Sequence, residues 1–153
     1  MMTFGYFDSP IGLVEIGASD DAVTSLYFVD GRRPRVTGNA VAARAVEQVT
    51  AYFTGALREF DLPLELHGTD FQRLVWERLA SIPFGETTSY GELAGAIARP
   101  AAVRAVGAAN GANPISIILP CHRVVGSDGS LTGYGGGLWR KEWLLRHEGS
   151  RLL

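Results

Sequence analysis

Apolar and polar residues alternate in three short segments near the beginning of the chain, and this spacing predicts β-strands. The segments cover residues 3–8, 13–18 and 22–29. Turn-forming residues separate them, at positions 9–12 and 19–21. We therefore expect a small antiparallel meander.

Helical spacing replaces this alternation further along the chain. Five apolar residues recur every three to four positions, namely Val41, Ala45, Val49, Tyr52 and Phe53. Gly55 suits the end of such a helix. The segment 61–68, which contains Pro63, is then expected to connect two domains. The predicted boundary lies near residue 66, with domains at 1–66 and 67–153.

A second helical block is predicted to begin at Thr69 or Asp70, either of which can cap a helix, and to end before Pro83 and Gly85. Its expected apolar face consists of Phe71, Leu74, Val75 and Leu79.

Two shorter helices follow, separated at Arg99 and Pro100. The first is expected over residues 89–98, with Leu93, Ala94 and Ile97 buried, and the second over residues 101–110, with Val103 and Val106 buried. Two short helices joined by a tight turn are typical of a helix-turn-helix, whose second helix lies in a DNA groove. Helical hairpins that bind nothing share this pattern, so both interpretations stay open.

Composition and charge narrow the classes of protein. The chain has 153 residues, of which 46% are hydrophobic and 20% charged, as in ordinary soluble domains. Its single cysteine excludes an intramolecular disulfide and fits a reducing compartment. No signal-like or membrane-spanning run is present in the sequence, so we expect a cytoplasmic protein with no membrane association.

Charge is divided unevenly along the chain. Residues 1–69 hold nine acidic and five basic residues, net −4, whereas residues 70–153 hold seven acidic and nine basic residues, net +2. The second part is therefore the better partner for a polyanion, although a net charge of this size also fits an ordinary solvated surface.

The single cysteine, Cys121, lies in the run Ile-Leu-Pro-Cys-His-Arg-Val-Val at residues 118–125. We expect an apolar, strand-like segment to lead into it and Pro120 to break regular structure, so that the thiol is exposed. A thiolate is the reactive form of cysteine, and His122 is an adjacent base. The alternative is a small buried hydrophobic residue without reactivity.

The predicted second helix of the hairpin is built almost entirely from small residues. Arg104 is the only large side chain expected on its outer face. Small residues allow a close approach to another surface, and a lone arginine can enter a duplex as a wedge or fill the gap left by an extruded base. The alternative is tight packing between helices with Arg104 in solvent.

Three motifs together resemble the O6-alkylguanine-DNA alkyltransferase family. They are Pro-Cys-His-Arg-Val-Val at 120–125, Arg-Ala-Val-Gly-Ala-Ala-Asn-Gly-Ala-Asn-Pro at 104–114 and Gly-Tyr-Gly-Gly-Gly at 133–137. The resemblance covers nearly the whole chain and is closest from 68 to 149. It implies an α+β fold with a ribonuclease-H-like sheet and helix at the N-terminus, followed by a mostly helical helix-turn-helix or winged-helix domain that carries the active site.

The resemblance implies irreversible transfer of a methyl or other alkyl group from O6 of guanine, and from O4 of thymine, to the sulfur of Cys121. The damaged nucleotide is first rotated out of double-stranded DNA. His122 would take the thiol proton through a water, and Glu148 would hold the imidazole. Because a thioether is not hydrolysed, each molecule would act once and need no cofactor.

Further roles are implied by the same resemblance. Tyr90 would give a proton toward the base and meet the adjacent phosphate. The substrate pocket would be formed by Pro120, Val124, Tyr134, Gly135 and Gly136. DNA contacts would come from Arg99, Ala101, Ala102, Arg104, Gly107 and Asn110. Asn113 and Arg123 would form the hinge between the DNA-binding helix and the cysteine.

The sequence departs from the family in one pocket position. Gly135 stands where many relatives carry serine or alanine, which removes a side-chain hydrogen bond to the base. His67 alone cannot form the zinc site of some relatives, so we expect no metal. We expect a monomer, with clustering along DNA left open.

Two rival functions remain open. A thiol hydrolase using Cys121, His122 and Glu148 would turn over many times, but neighbouring residues of a strand point in opposite directions. A protein that flips and signals alkylated bases without repair would lack the acceptor cysteine.

Overall fold

The computed structural model describes residues 2–34 and 38–150. The chain forms two compact units, Met1–His67 and Gly68–Leu153. The first combines a small sheet with a helix and the second is mainly helical, so the α+β prediction is confirmed. Among the described residues, no helix is both long and apolar enough to cross a membrane.

The sheet of the first unit is the predicted meander. Strands β1 (Thr3–Ser9), β2 (Gly12–Ala18) and β3 (Val23–Val29) pair antiparallel in the order β1-β2-β3. The turn between β1 and β2 is tight, because Ser9 pairs directly with Gly12. A register irregularity at Gly17 and Ala18 adjusts the pairing of β2 with β3.

Helix α1 (Ala40–Phe53) packs against this sheet. Asn39 caps it by accepting a hydrogen bond from the backbone N–H of Ala42, and Gly55 follows its end with φ of 85°. Its buried residues are Ala42, Ala45, Val49, Tyr52 and Phe53. Of the five residues that predicted this helix, Val41 is only half-buried, because the neighbouring Ala42 occupies the inner position.

The second unit begins with α2 (Asp70–Leu79), which is capped by Thr69 and Gln72 in a reciprocal capping box. Its buried residues are Val75, Trp76 and Leu79. The predicted face was partly wrong, since Leu74 is 37% exposed and Phe71 half-buried. Trp76 takes part in the inner face instead, and its indole N–H donates to the Ala109 carbonyl at 2.7 Å.

The predicted hairpin consists of α3 (Tyr90–Ala96) and α4 (Val103–Gly111). Ser89 caps α3 and forms a capping box with Glu92. The predicted buried set of α3 is confirmed: Leu93, Ala94 and Ile97. In α4, Val106 is buried as expected, but Val103 is 40% exposed because it occupies the first turn of the helix and faces outward.

The remaining elements frame the cysteine. Strand β4 (Thr88–Ser89) pairs in parallel with β5 (Val124–Val125), and α5 (Leu138–His147) follows. The expected strand before Cys121 is wrong. Ile117 has φ of 71°, only an isolated bridge joins Ser116 to Leu119, and Cys121–Arg123 form one 3-10 turn.

Candidate active site

Cys121 lies at the start of the 3-10 turn and is 5% exposed. The expectation of an exposed thiol was therefore wrong, because the apolar segment before it is buried and brings the cysteine inside. Burial raises the pKa of the Cys121 thiol, against smaller opposing effects from Asn113, the charge of Lys141 and Ser116. The resting residue is thus a protonated thiol that needs a base.

His122 is the neighbouring base, and its orientation is fixed. Its Nε2 lies 2.7 Å from Oε2 of Glu148, and both side chains are fully buried. Because a carboxylate only accepts hydrogen bonds, Nε2 carries the proton and Nδ1 is left as an acceptor. Nδ1 is buried and has no partner within residues 2–34 and 38–150. Burial lowers the pKa of His122 despite the opposing effect of Glu148, so the ring is neutral near neutral pH.

Glu148 also binds Arg123 and a backbone amide. Arg123 donates to both carboxylate oxygens, from Nε at 2.8 Å and from Nη2 at 2.9 Å. The N–H of Gly85 donates to Oε1 at 3.2 Å. Burial alone would raise the pKa of Glu148, but the hydrogen bonds and charges of His122 and Arg123 outweigh it and lower the pKa strongly. The carboxylate therefore stays ionised.

Arg123 was expected at a hinge, and the structure gives its contacts. Besides the carboxylate, its Nη1 donates to the Ile82 carbonyl at 2.6 Å. The guanidinium therefore joins the 3-10 turn to Glu148 and to the turn that follows α2.

Lys141 is a site residue that the sequence reasoning missed. It is fully buried in α5, and its Nζ donates to the carbonyls of Val124 at 2.6 Å, Thr132 at 2.9 Å and Gly133 at 3.3 Å. Burial lowers the pKa of Lys141 to about 8, and the negative charge of a thiolate at Cys121 would act in the opposite direction and raise it. A signal existed in the sequence: Lys141 shares helical spacing with the apolar residues Leu144 and Leu145.

Tyr90 is placed by the capping of α3, of which it is the first residue. Its hydroxyl donates to the Thr132 carbonyl at 3.0 Å, the same carbonyl that Lys141 binds. A Cβ at Gly107 would lie 3.8 Å from the Tyr90 ring, so the small residue lets α4 pass close to the tyrosine. Tyr90 thus lies between α4 and the loop at residues 132–133.

Tyr134 brings a second hydroxyl toward the thiol. This hydroxyl is buried and has no partner in the part of the chain that the structure describes. Burial raises its pKa well above the usual range, and a thiolate at Cys121 would raise it further. Gly135 is exposed, and the carbonyl of Gly136 accepts from Arg140 at 2.7 Å. The loop at residues 134–137 therefore has one buried hydroxyl, that of Tyr134, and an exposed backbone without a side chain at Gly135.

The remaining residues expected in the substrate pocket lie beside the thiol in sequence. Pro120 and Val124 are both buried. The carbonyl of Val124 is taken by Lys141.

Most residues expected to meet DNA lie on the outer side of the hairpin. Arg99, Ala101 and Arg104 are exposed, and Ala102 and Gly107 are half-buried. Ala98, in the turn before them, has φ of 58°, which is unusual for a residue other than glycine. The exposed Val103 is a second large side chain on this surface, so Arg104 does not project alone.

Asn110 does not lie on that outer surface. It is 3% exposed, and its Nδ2 donates to the Cys121 carbonyl at 3.3 Å. The expected direct contact with DNA does not fit this burial. Its helical position explains the difference, because Asn110 follows Val106 and Ala109 on the inner face of α4.

Asn113 joins the end of α4 to the segment before the cysteine. Its Nδ2 donates to the Leu119 carbonyl at 2.7 Å, and its Oδ1 accepts from the Ile115 N–H at 3.0 Å. Both bonds are buried, so the amide holds this segment in its irregular path.

No metal site emerges from the side chains. Within residues 2–34 and 38–150, no group of three or more histidine, cysteine, aspartate or glutamate residues could hold a metal ion. His67 forms an ion-pair contact with Glu65 at 3.3 Å.

A helix-turn-helix beside a buried thiol, with an imidazole held by a carboxylate, defines a class of DNA-binding protein with a nucleophilic cysteine. Comparison with known proteins identifies the family. Residues 70–150 match the model described as "6-O-methylguanine DNA methyltransferase, DNA binding domain", and residues 2–66 match the ribonuclease-like domain of the same proteins. The chain belongs to the 6-O-methylguanine DNA methyltransferase family.

Individual relatives are similar over nearly their whole length. The methylated-DNA--protein-cysteine methyltransferase of Mycolicibacterium paratuberculosis is 54% identical, with 97% of this chain and 93% of the relative covered. The crystal structure of the Mycobacterium tuberculosis O6-methylguanine methyltransferase has a TM-score of 0.88 at 49% identity, covering 99% of this chain and 94% of that one. The same organism's OGT in complex with DNA gives 0.89 at 49% identity, covering 96% and 92%.

Proposed function

We propose that this protein repairs alkylated DNA by direct reversal, moving an alkyl group from O6 of guanine, or from O4 of thymine, to the sulfur of Cys121. The observation that carries the proposal is the buried Cys121 beside His122, whose ring is fixed by Glu148 at 2.7 Å. Support comes from the relatives named for methylated DNA and a protein cysteine, and from the relative solved in complex with DNA.

The reaction begins with removal of the thiol proton. Since the neutral His122 ring donates from Nε2 to Glu148, its free Nδ1 accepts this proton, through a water. The anion of Glu148 and the cation of His122 then face each other, which stabilises the charge formed at the base. The thiolate forms only when the proton leaves, because burial otherwise favours the neutral thiol.

Sulfur then displaces the base from the alkyl carbon. The C–S bond forms as the C–O6 bond breaks, and the electron pair of that bond stays on guanine, which takes up a proton that the Tyr90 hydroxyl would donate and the protonated His122 would replace through water. Tyr90 and the backbone of the loop 134–137 stand as the groups that meet the leaving base. A thioether offers water no acyl or phosphoryl bond, so Cys121 stays alkylated and each molecule acts once.

The lesion lies inside a duplex, so the nucleotide must be extruded before the sulfur can reach it. Arg104, on the exposed side of α4, would occupy the space left in the stack. Arg99, Ala101, Ala102 and Gly107 would contact the phosphate backbone, which positions the protein without reading sequence.

We also propose that the two domains have different roles. Residues 67–153 would bind DNA and accept the alkyl group, while residues 1–66 would support them. We propose that the protein acts in the cytoplasm as a monomer and needs no metal or cofactor.

The test is restoration of guanine in a duplex oligonucleotide that contains O6-methylguanine. The wild-type protein should restore guanine until about one equivalent has reacted, and Cys121→Ser should restore none. The hydrolase alternative predicts many equivalents. The argument that neighbouring residues of a strand point in opposite directions does not apply to a hydrolase here, because Cys121 and His122 lie on a 3-10 turn. The number of equivalents therefore decides between the two functions.

A further inference from the structure

Asn110 connects the helix proposed to bind DNA with the peptide group of the nucleophile. It belongs to α4, which also carries the exposed Arg104. Its side chain is buried, and its Nδ2 donates to the Cys121 carbonyl at 3.3 Å. This bond joins two segments that are eleven residues apart in the chain.

The carbonyl that Asn110 binds has a special place in the site. It belongs to the peptide bond between Cys121 and His122, that is, between the nucleophile and its base. Because the group is planar, holding its carbonyl restrains ψ of Cys121 and φ of His122, the two backbone angles that lie between the thiol and the imidazole. The same carbonyl also accepts the N–H of Val124 within the 3-10 turn. The peptide plane is therefore held from inside the turn by Val124 and from outside it by Asn110.

The amide of Asn110 can have only one orientation here. A carbonyl oxygen cannot donate, so Nδ2 must face Cys121 and Oδ1 must point away. Oδ1 is buried and finds no partner among the described residues. An unpaired buried oxygen costs stability, and an apolar side chain of similar size would avoid that cost. Packing therefore does not explain why an amide side chain stands at position 110, whereas its hydrogen bond to the Cys121 carbonyl does.

We propose that Asn110 is a positioning residue that sets the Cys121–His122 peptide plane, and through it the approach of the thiol to its base, from the DNA-binding helix. This role rests on the proposed function. Asn113 binds the Leu119 carbonyl, two residues earlier, and so holds the approach to the turn but not this peptide.

The test uses alkyl transfer to the full-length protein from free O6-benzylguanine, which needs no extrusion from a duplex. Asn110→Ala and Asn110→Asp should both slow the transfer by about tenfold near neutral pH, the effect of losing roughly one well-placed hydrogen bond. Rates are expressed per folded molecule, with the folded fraction taken from urea unfolding curves.

The pH dependence separates positioning from packing. A buried aspartic acid has a raised pKa, and in its protonated form it donates to the carbonyl as the amide does. The rate of Asn110→Asp relative to wild type should therefore recover as pH falls toward about 5, while the relative rate of Asn110→Ala stays constant. Asn110→Leu, which fills the space without a donor, should behave like the alanine variant.

Three outcomes would overturn the role of Asn110. They are a wild-type rate in Asn110→Leu, a relative rate of Asn110→Asp that is flat with pH, and a loss confined to duplex substrate. These outcomes are distinct from failure of the proposed function, which would appear as absence of transfer to Cys121 in the wild-type protein.

Discussion

Glu148 is the residue on which the geometry of the site depends most. It accepts from His122, from Nε and Nη2 of Arg123 and from the N–H of Gly85. Removing one partner of a buried charge network leaves the other charges unpaired, which costs more than the pair itself contributes. Glu148 therefore stabilises the unit as well as orienting the base.

Replacing Glu148 by glutamine should destabilise the protein by about 3 kcal/mol at neutral pH, because the guanidinium of Arg123 loses its counter-charge. The pKa of Glu148 is lowered on folding. Such a group contributes stability above its ordinary pKa, and this contribution is lost as pH falls below about 4.5. The difference between wild type and Glu148→Gln in urea unfolding should therefore shrink in acid.

Glu142→Gln is the matched control. Glu142 lies in α5, the helix that Glu148 follows; its side chain is 45% exposed and pairs with Arg146 at 2.7 Å, so its loss should cost less than about 1 kcal/mol. A Glu148→Gln deficit as small as this, or one independent of pH, would contradict the assigned network.

Individual residues differ in how far the sequence reveals them. Cys121 and His122 are adjacent and lie in a recognisable motif, so their chemistry is readable. The roles of Asn110 and Lys141 cannot be read from the sequence, because each side chain binds a backbone carbonyl of a distant segment. Carbonyls carry no sequence signature, and only the fold shows which of them a side chain meets.

At the scale of elements, the turn between α3 and α4 carries backbone strain. Ala98 has φ of 58° in the left-handed region, which costs a residue with a Cβ roughly 1 kcal/mol or more. Ala98→Gly should raise the free energy of unfolding by about 0.5 kcal/mol, since relief of strain slightly exceeds the entropy that glycine adds to the unfolded chain.

Ala96→Gly is the control for this substitution. Ala96 is exposed and is the last residue of α3, where glycine should lower stability by up to about 1 kcal/mol. Both effects are measured as shifts of the urea unfolding midpoint. Loss of stability in Ala98→Gly equal to that in Ala96→Gly would show that the turn is not strained.

The exposed position of Arg104 on α4 predicts that its loss affects duplex DNA but not a free alkylated base. Arg104→Ala should reduce repair of O6-methylguanine in a duplex by tenfold or more, roughly the effect of losing a wedge contact. Reaction with free O6-benzylguanine should be unchanged, because no nucleotide has to be extruded. Single-turnover rates with the two substrates give the comparison.

Val103→Ala is the matched control, since Val103 is also exposed on the first turn of α4. It should affect the two substrates little and equally. Equal losses with both substrates in Arg104→Ala would rule out the wedge role.

The order of β1 to β3 and of helices α1 to α4 could be read from the sequence, because these elements have recognisable periodicity and flanking turn residues, whereas α5 and the short strands β4 and β5 were not predicted. The meander, α1, the capped start of α2 at Thr69 and the α3–α4 hairpin all follow from local pattern. What failed were helix faces that tertiary contacts decide. Trp76 is buried through its bond to the Ala109 carbonyl, and Val103 is exposed despite being apolar.

The surroundings of the thiol were the least predictable part of the molecule. An apolar run before Pro120 is typical of a strand, yet the left-handed Ile117 and the bonds of Asn113 hold it in another shape. This shape buries Cys121 and puts it on a 3-10 turn with its base. Side-chain-to-backbone hydrogen bonds within residues 113–119, rather than strand propensity, hold this conformation.

The whole molecule is proposed to act as a reagent that is consumed. The most direct measurement is the intact mass of the protein after incubation with excess duplex containing O6-methylguanine, followed by peptide mapping. We predict a gain of one methyl group per molecule, located on Cys121, in step with the guanine restored, and no gain in Cys121→Ser. Restored guanine together with an unmodified Cys121 would contradict the account.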